Sequence, residues 1–145
     1  MIRYLNLPAI PVDIMSRLNR DFGQYKTKAN PLNKFYVWSD DFNEEVNRWC
    51  QQNICDTMYW GFQIMTGDQP MHKDNVTLTK LIYLINTGGD NVYTRFYDDD
   101  KNLTHSYKIE CNRWHLLKAD SYHSVDGIES GQTRFSLTGR IFPEA

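Results

Sequence analysis

Four histidines stand in this chain, at positions 72, 105, 115 and 123, and one of them has a carboxylate close by. In Met71-His72-Lys73-Asp74 the imidazole and the carboxylate are two residues apart. On an extended backbone residues i and i+2 project to the same side, so both side chains can reach one metal ion. With a third nitrogen or oxygen from a distant strand, such a pair makes one face of an octahedral site and leaves three positions open. Alone the pair is a weak signal, because so short a motif arises often by composition.

The second chemical feature lies near the C-terminus. From Gln132 to Phe142 the alternation is strict: Arg134, Ser136, Thr138 and Arg140 share one face, and Phe135, Leu137, Gly139 and Ile141 share the other. If the apolar set faces a core between sheets, the polar set is a solvent face. If the strand lines a cavity, two guanidinium groups and two hydroxyls point into it. An arginine with a hydroxyl two residues on suits a buried carboxylate, because the planar fork binds it bidentately and the hydroxyl donates a further hydrogen bond.

These residues need a scaffold, and the chain predicts one. Ile14, Leu18 and Phe22 form one stripe of a helix over Val12–Phe22, with Gly23 as a stop. A second helix is expected from about Asp41 to Ile54, with Phe42, Val46, Trp49 and Ile54 on one face and Ser39-Asp40-Asp41 as capping oxygens. Gln24 to Trp38 between them reads as irregular, with a short strand at Lys34-Phe35-Tyr36-Val37-Trp38. Strands are expected near 57–65, 76–86, 91–97, 104–110, 113–118, 121–125 and 132–141, separated by turns such as Thr66-Gly67-Asp68-Gln69-Pro70, Thr87-Gly88-Gly89-Asp90 and Asp98-Asp99-Asp100. The last of these is a hairpin turn, since it lacks the spacing of a calcium loop. Two helices followed by short antiparallel strands indicate helices packed outside a β-sandwich or barrel.

Over residues 57–142 the sequence resembles the iron(II)/2-oxoglutarate-dependent oxygenases, with the motifs in family order. The HxD at His72 and Asp74 precedes a strand ending in Tyr83-Leu84-Ile85-Asn86. Gly88-Gly89-Asp90 is similar to the family's Gly-Gly-Glu turn, with a conservative Asp. Trp114-His115-Leu116-Leu117-Lys118 leads into Ser121-Tyr122-His123-Ser124-Val125, which resembles the segment of the distal histidine. Arg134-Phe135-Ser136 begins 11 positions after His123, where the family often places an RxS. The ladder Arg134-x-Ser136-x-Thr138-x-Arg140 also resembles the RxNxTxR of alkylation-repair dioxygenases, with Ser in place of Asn.

The resemblance implies a double-stranded β-helix, cupin-like in its jelly-roll form, with two N-terminal helices packed outside. One domain is expected over 1–145, residues 1–55 being helical support and 56–142 the core. His72, Asp74 and His123 would bind iron(II). Arg134, helped by Ser136, would bind the distal carboxylate of 2-oxoglutarate, and Gln63, nine residues before His72, would be a polar contact to that cosubstrate. Arg140 is either a second anion contact or structural. The implied reaction consumes O2 and 2-oxoglutarate, releases succinate and CO2, and hydroxylates or otherwise oxidises a C–H bond in a peptide or small molecule. The layout favours a prolyl-hydroxylase-like reaction. Alternatives are a cupin-type metal protein that does not use 2-oxoglutarate, and a non-catalytic scaffold.

The remaining groups have blander readings. His115 lies between Trp114 and two leucines and is expected to be packed or at a rim, His105 to face solvent. Tyr59 shares the face of Gln63, and Tyr93, Arg95 and Tyr97 either line a substrate mouth or cover an exposed sheet. A lid could come from Gln24 to Trp38 or from the loop before His72. At 145 residues, with 41% hydrophobic, 14% aromatic and 23% charged residues, the composition is that of a folded domain. A net charge of −2 and a pI near 6.0 supply no global field for nucleic acid. No apolar run reaches the roughly 20 residues of a membrane span, and none marks a signal peptide. Cys50, Cys55 and Cys111, without CxxC spacing, suit reduced thiols in the cytoplasm.

Overall fold

The computed structural model describes residues 2–27, 43–74 and 79–140. Among them the order is β1 (Ile2–Leu5), α1 (Val12–Thr27), α2 (Glu44–Asn53), β2 (Tyr59–Met65), β3 (Gln69–His72), β4 (Thr79–Thr87), β5 (Tyr93–Tyr97), β6 (Leu103–Tyr107), β7 (Trp114–Lys118), β8 (Tyr122–Asp126) and β9 (Arg134–Arg140).

The strands pair as if from one long hairpin. β5 with β6 forms the tip, and β4 with β7, β3 with β8 and β2 with β9 follow in nested order, all antiparallel. The hairpin is wound on itself, because β9 also pairs with β4 and β8 with β5. Two sheets result, a larger one ordered β1-β7-β4-β9-β2 and a smaller one ordered β3-β8-β5-β6. This is the double-stranded β-helix. Its tip is the expected hairpin turn: Asp98 Oδ1 accepts from the Asn102 amide at 2.8 Å, and Lys101 adopts φ 66°.

The alternation of β9 is resolved by what covers each face. Phe135 and Leu137 join Trp60, Phe62, Tyr83 and Trp114 in one cluster with Leu18 of α1 and with Val46 and Cys50 of α2. The helices therefore take the outer apolar face of the larger sheet. Arg134, Ser136 and Thr138 are buried too, at 5%, 5% and 1% exposure, so they are no solvent face. They point between the two sheets, which settles the choice in favour of a cavity.

Several expectations need correcting. β1 and β3 were not anticipated. β1 has four residues, too few to show a period, and it adds to the edge at β7. β3 contains Pro70 and reads as part of a turn; it is an edge strand paired only with β8, where a missing backbone N–H costs no ladder bond. α1 passes through Gly23 to Thr27, since glycine costs a helix only about 1 kcal/mol and stops it only when the backbone turns left-handed. The start of α2 is capped by Asn43, whose Oδ1 accepts from the Val46 amide at 3.0 Å. Ser39-Asp40-Asp41, Phe42, the strand expected at Lys34 to Trp38, and positions 141–142 lie outside the described residues. No helix among the described residues is long and apolar enough to cross a membrane.

Gly139 shows how tightly β9 meets the helix-side core. A Cβ there would lie 2.6 Å from the ring of Trp60, whose Nε1 donates to the Cys55 carbonyl at 3.1 Å and whose side chain is therefore not free to yield. Gly139→Ala is expected to cost about 1–3 kcal/mol of stability by overpacking. Urea unfolding should show a lowered midpoint at an unchanged m-value.

Candidate metal centre and anion pocket

β3 and β8 run antiparallel with His72 directly opposite His123, and the two imidazole centroids are 4.3 Å apart. Just beyond β3 the Asp74 amide donates to the Ala119 carbonyl at 3.0 Å, which holds the chain close to the turn before β8. Asp74 Oδ1 then lies 3.3 Å from His72 Nε2 and 3.7 Å from His123 Nε2. One ligand atom from each of the three residues falls within 4.8 Å of the others, a separation that suits a single small cation.

The tautomers suit it as well. His72 Nδ1 donates to the Pro70 carbonyl at 2.7 Å and His123 Nδ1 to the Ser121 carbonyl at 2.8 Å. Each ring is tied to the carbonyl two residues back in the chain, and each turns Nε2 toward Asp74. Such a bond on the far nitrogen fixes the ring and its tautomer for metal binding. Burial pushes His123 down to about 4, so its Nε2 lone pair is free at neutral pH. His72 is raised, chiefly by its hydrogen bond to Asp74. Burial works against ionisation of Asp74, yet the bond to His72 and the ammonium of Lys80 outweigh it and hold the carboxyl at about 2. Two imidazole nitrogens and one carboxylate are the donor set of a facial site with open positions.

The same cavity has a second charged end. Its wall includes Gln63, Gln69, Thr94, His123, Arg134 and Ser136 among apolar side chains such as Leu84 and Val125. Arg134 donates to the Thr87 carbonyl at 3.1 Å and to Thr94 Oγ1 at 3.5 Å. Among the described residues no carboxylate lies within ion-pair distance of it. Burial lowers its pKa to about 10, which still leaves it charged at neutral pH. A buried cation without a protein anion is costly unless a ligand supplies the anion. Gln63 and Ser136 sit opposite each other across β2 and β9 and line the wall beside it.

The other candidates are placed as follows. Arg140 ends β9 opposite Tyr59 and Lys80, and it is not part of the wall. His115 is buried on β7 against the edge of the Tyr4 ring, away from the triad. His105 is exposed and stacked on Tyr107. Thr94 and Val125 face the cavity, so Tyr93, Arg95 and Tyr97 point to the outer side of the smaller sheet and line no mouth. There Tyr97 meets Ser124 Oγ at 3.0 Å, Ser124 donates to Asp126 at 2.8 Å, and Arg95 pairs with Asp126 at 3.3 Å. Sequence reasoning missed Lys80, whose Nζ lies 2.6 Å from Asp74 Oδ2. Its signal was parity: Lys80 shares a strand face with Ile82 and Leu84, both cavity residues.

No protein-family model and no curated protein sequence matches the chain. Solved structures do. An oxidoreductase of the 2OG-Fe(II) oxygenase family from Burkholderia pseudomallei superposes with a TM-score of 0.66 at 10% identity, covering 97% of this chain and 82% of that one. A prolyl-4-hydroxylase from Pseudomonas putida gives 0.61 at 14% identity, covering 100% and 92%. A prolyl hydroxylase from Trichoplax adhaerens, solved in complex with a hypoxia-inducible-factor peptide fragment, gives 0.61 at 10% identity over 97% and 83%. The fold of this chain is the one those oxygenases share.

Two outcomes follow from the geometry. Manganese(II) or cobalt(II) should raise the melting temperature of the wild type, with about 2.7 kcal/mol of added stability at a hundredfold excess over Kd. His123→Ala should lose that rise in a thermal melt. Arg134→Met, which removes an uncompensated buried charge at the cost of two hydrogen bonds, should leave unfolding stability within about 1 kcal/mol of wild type or raise it. A large loss of stability would make the guanidinium structural.

Proposed function

We propose that the chain is an iron(II)- and 2-oxoglutarate-dependent oxygenase that oxidises a C–H bond of a peptide or small molecule. The observation that carries this reading is that one cavity is lined both by His123, a member of the His72–Asp74–His123 cluster, and by the buried Arg134, which has no carboxylate partner among the described residues. A site for metal alone gives Arg134 no purpose. A dicarboxylate that chelates the metal by one end and meets a guanidinium with the other accounts for both.

Each residue has a part in this. His72, Asp74 and His123 would hold the metal, with His72 Nε2, Asp74 Oδ1 and His123 Nε2 already turned toward one another. Arg134 and the Ser136 hydroxyl would bind the far carboxylate of 2-oxoglutarate, with Gln63 beside them as a further polar contact. Iron(II) there would supply oxygen activation coupled to decarboxylation of the cosubstrate to succinate and CO2. The protein orients the cosubstrate along the cavity and keeps water from the reactive end: Phe96, 2% exposed, covers one side of His123 at 6.1 Å between centroids. Arg134 gains most from exclusion of water, because its attraction for a carboxylate grows as the local dielectric falls.

The cavity is narrow, with about 30 Å³ of free space, so a five-carbon dicarboxylate must displace wall side chains. Gln63, Met65 and Gln69 are the long, unbranched uncharged side chains of the wall, with the rotamer freedom this needs. The prolyl hydroxylases among the structural neighbours favour a peptidyl C–H bond as the substrate position within this reading.

Anaerobic titration of metal-free protein with iron(II) and 2-oxoglutarate tests the proposal. The wild type should develop a visible metal-to-ligand charge-transfer band. His72→Ala should not, and Arg134→Met should need at least about a hundredfold more cosubstrate, as expected for loss of a bidentate charged contact of about 3 kcal/mol. Metal binding without a band in the wild type would refute the use of 2-oxoglutarate.

A further inference from the structure

Resting on that reading, we infer that Lys80 is a positioning residue that makes Asp74 a one-oxygen ligand and so keeps coordination positions open for cosubstrate and oxygen. The two oxygens of Asp74 face different partners. Oδ1 faces the imidazoles, 3.3 Å from His72 Nε2 and 3.7 Å from His123 Nε2. Oδ2 is taken by Lys80 Nζ at 2.6 Å, with the lysine side chain 13% exposed and the aspartate 15%.

The backbone leaves little else to set the orientation. The Asp74 amide is pinned to the Ala119 carbonyl, so rotation of the side chain is the remaining freedom. Lys80 is itself fixed in the middle of the larger sheet, opposite Leu117 of β7 and Arg140 of β9. Its ammonium enters the cavity from the wall that faces the metal ligands. A charge-assisted bond this short holds a carboxylate in one rotation.

Chelation by both oxygens would require Oδ2 to leave Nζ. That would strand a mostly buried ammonium, which is unfavourable. The arrangement therefore selects binding through Oδ1. The consequence is specific to a site that must also take a chelating oxo-acid: a second carboxylate oxygen on the metal would occupy one of the positions that the oxo-acid and oxygen need. Partners of a ligand in the outer shell tune such sites by about 10–100-fold.

The test uses the full chain loaded with cobalt(II), whose visible bands report coordination number, in wild type, Lys80→Met and Lys80→Arg. Bands are recorded before and during titration with 2-oxoglutarate. Lys80→Met is expected to bind cobalt with altered bands before any cosubstrate is added, and to bind 2-oxoglutarate at least about tenfold more weakly. Lys80→Arg, which keeps a cation on Oδ2, is expected to restore both. Wild-type bands in Lys80→Met overturn the inference, as does a Lys80→Arg protein that behaves like Lys80→Met. A wild type that takes up cobalt and 2-oxoglutarate normally beside such a result isolates the failure to Lys80. A wild type that takes up neither removes the metal reading and the inference with it. A metal-loaded crystal structure of the wild type decides the point without a substitution. One Asp74 oxygen on the metal with the other against Nζ upholds the role of Lys80, and two oxygens on the metal overturn it.

Discussion

Strand β3 meets β8 with His72 across from His123, and the groups at that end of the cavity take their positions from this pairing. Side chains alternate along a strand, so a slip of one residue would turn His72 away from His123 and Asp74. A four-residue edge strand has few ladder bonds with which to resist such a slip, and the chain clamps it at both ends. Before β3, Asp68 Oδ1 accepts from the amides of Gly127 and Ile128, each at 2.9 Å; after it, the Asp74 amide reaches Ala119. Gly127 is required for the first clamp: its φ is +97°, and a Cβ there would lie 2.3 Å from the Asn91 carbonyl oxygen. The register of the histidines thus depends on a carboxylate and a glycine in turns that carry no chemistry themselves.

Electrostatics divides the cavity between its two ends. Near the histidines the charges are balanced within the protein, since Lys80 answers Asp74. At the other end Arg134 is answered, among the described residues, by the carbonyl of Thr87 and the hydroxyl of Thr94. Holding a guanidinium there works against stability, and the opposite face of the same strand offsets it. Phe135 and Leu137, buried to 1% and 0% exposure, anchor β9 in the helix-side core while Arg134 and Ser136 project the other way. Each apolar side chain so buried contributes about 1.5–3 kcal/mol. A strand buried on both faces, apolar outward and polar inward, is how this fold holds an unpaired charge in place.

What was legible in the sequence follows the same physics. The alternation of β9 showed from the residues alone, but which face was buried did not, because a polar face looks the same toward solvent and toward a cavity. The pairing of His72 with Asp74 was local and visible; that His123 joins them is a nonlocal fact of nested pairing, and only a resemblance could supply it. β3 was hidden by Pro70, whose usual meaning is a turn, and by its short length. Lys80 carries no local sign of its partner, and only its parity with Ile82 and Leu84 placed it inward. Gly23 misled in the opposite direction, because helix propensity is a weak force against the packing of Ile14 and Leu18 on the sheet.

The narrowness of the cavity bears on how such a site can work. A tight apolar wall strengthens every charge contact inside it, yet it must open for a ligand to enter. The walls differ in what they can yield. Ile82 and Val125 are β-branched and stiff at χ1, and they belong to central strands of their sheets. Gln63 and Met65 belong to β2, an edge strand, and are flexible. The backbone of β2 is held from behind, since Trp60, Phe62 and Ile64 are buried against the helices. Rotamer changes of such side chains make room without moving β9 or β8, and so leave the spacing between Arg134 and His123 unaltered. A ligand that spans those two ends would meet Arg134 and His123 on strands whose pairing such side-chain changes leave intact.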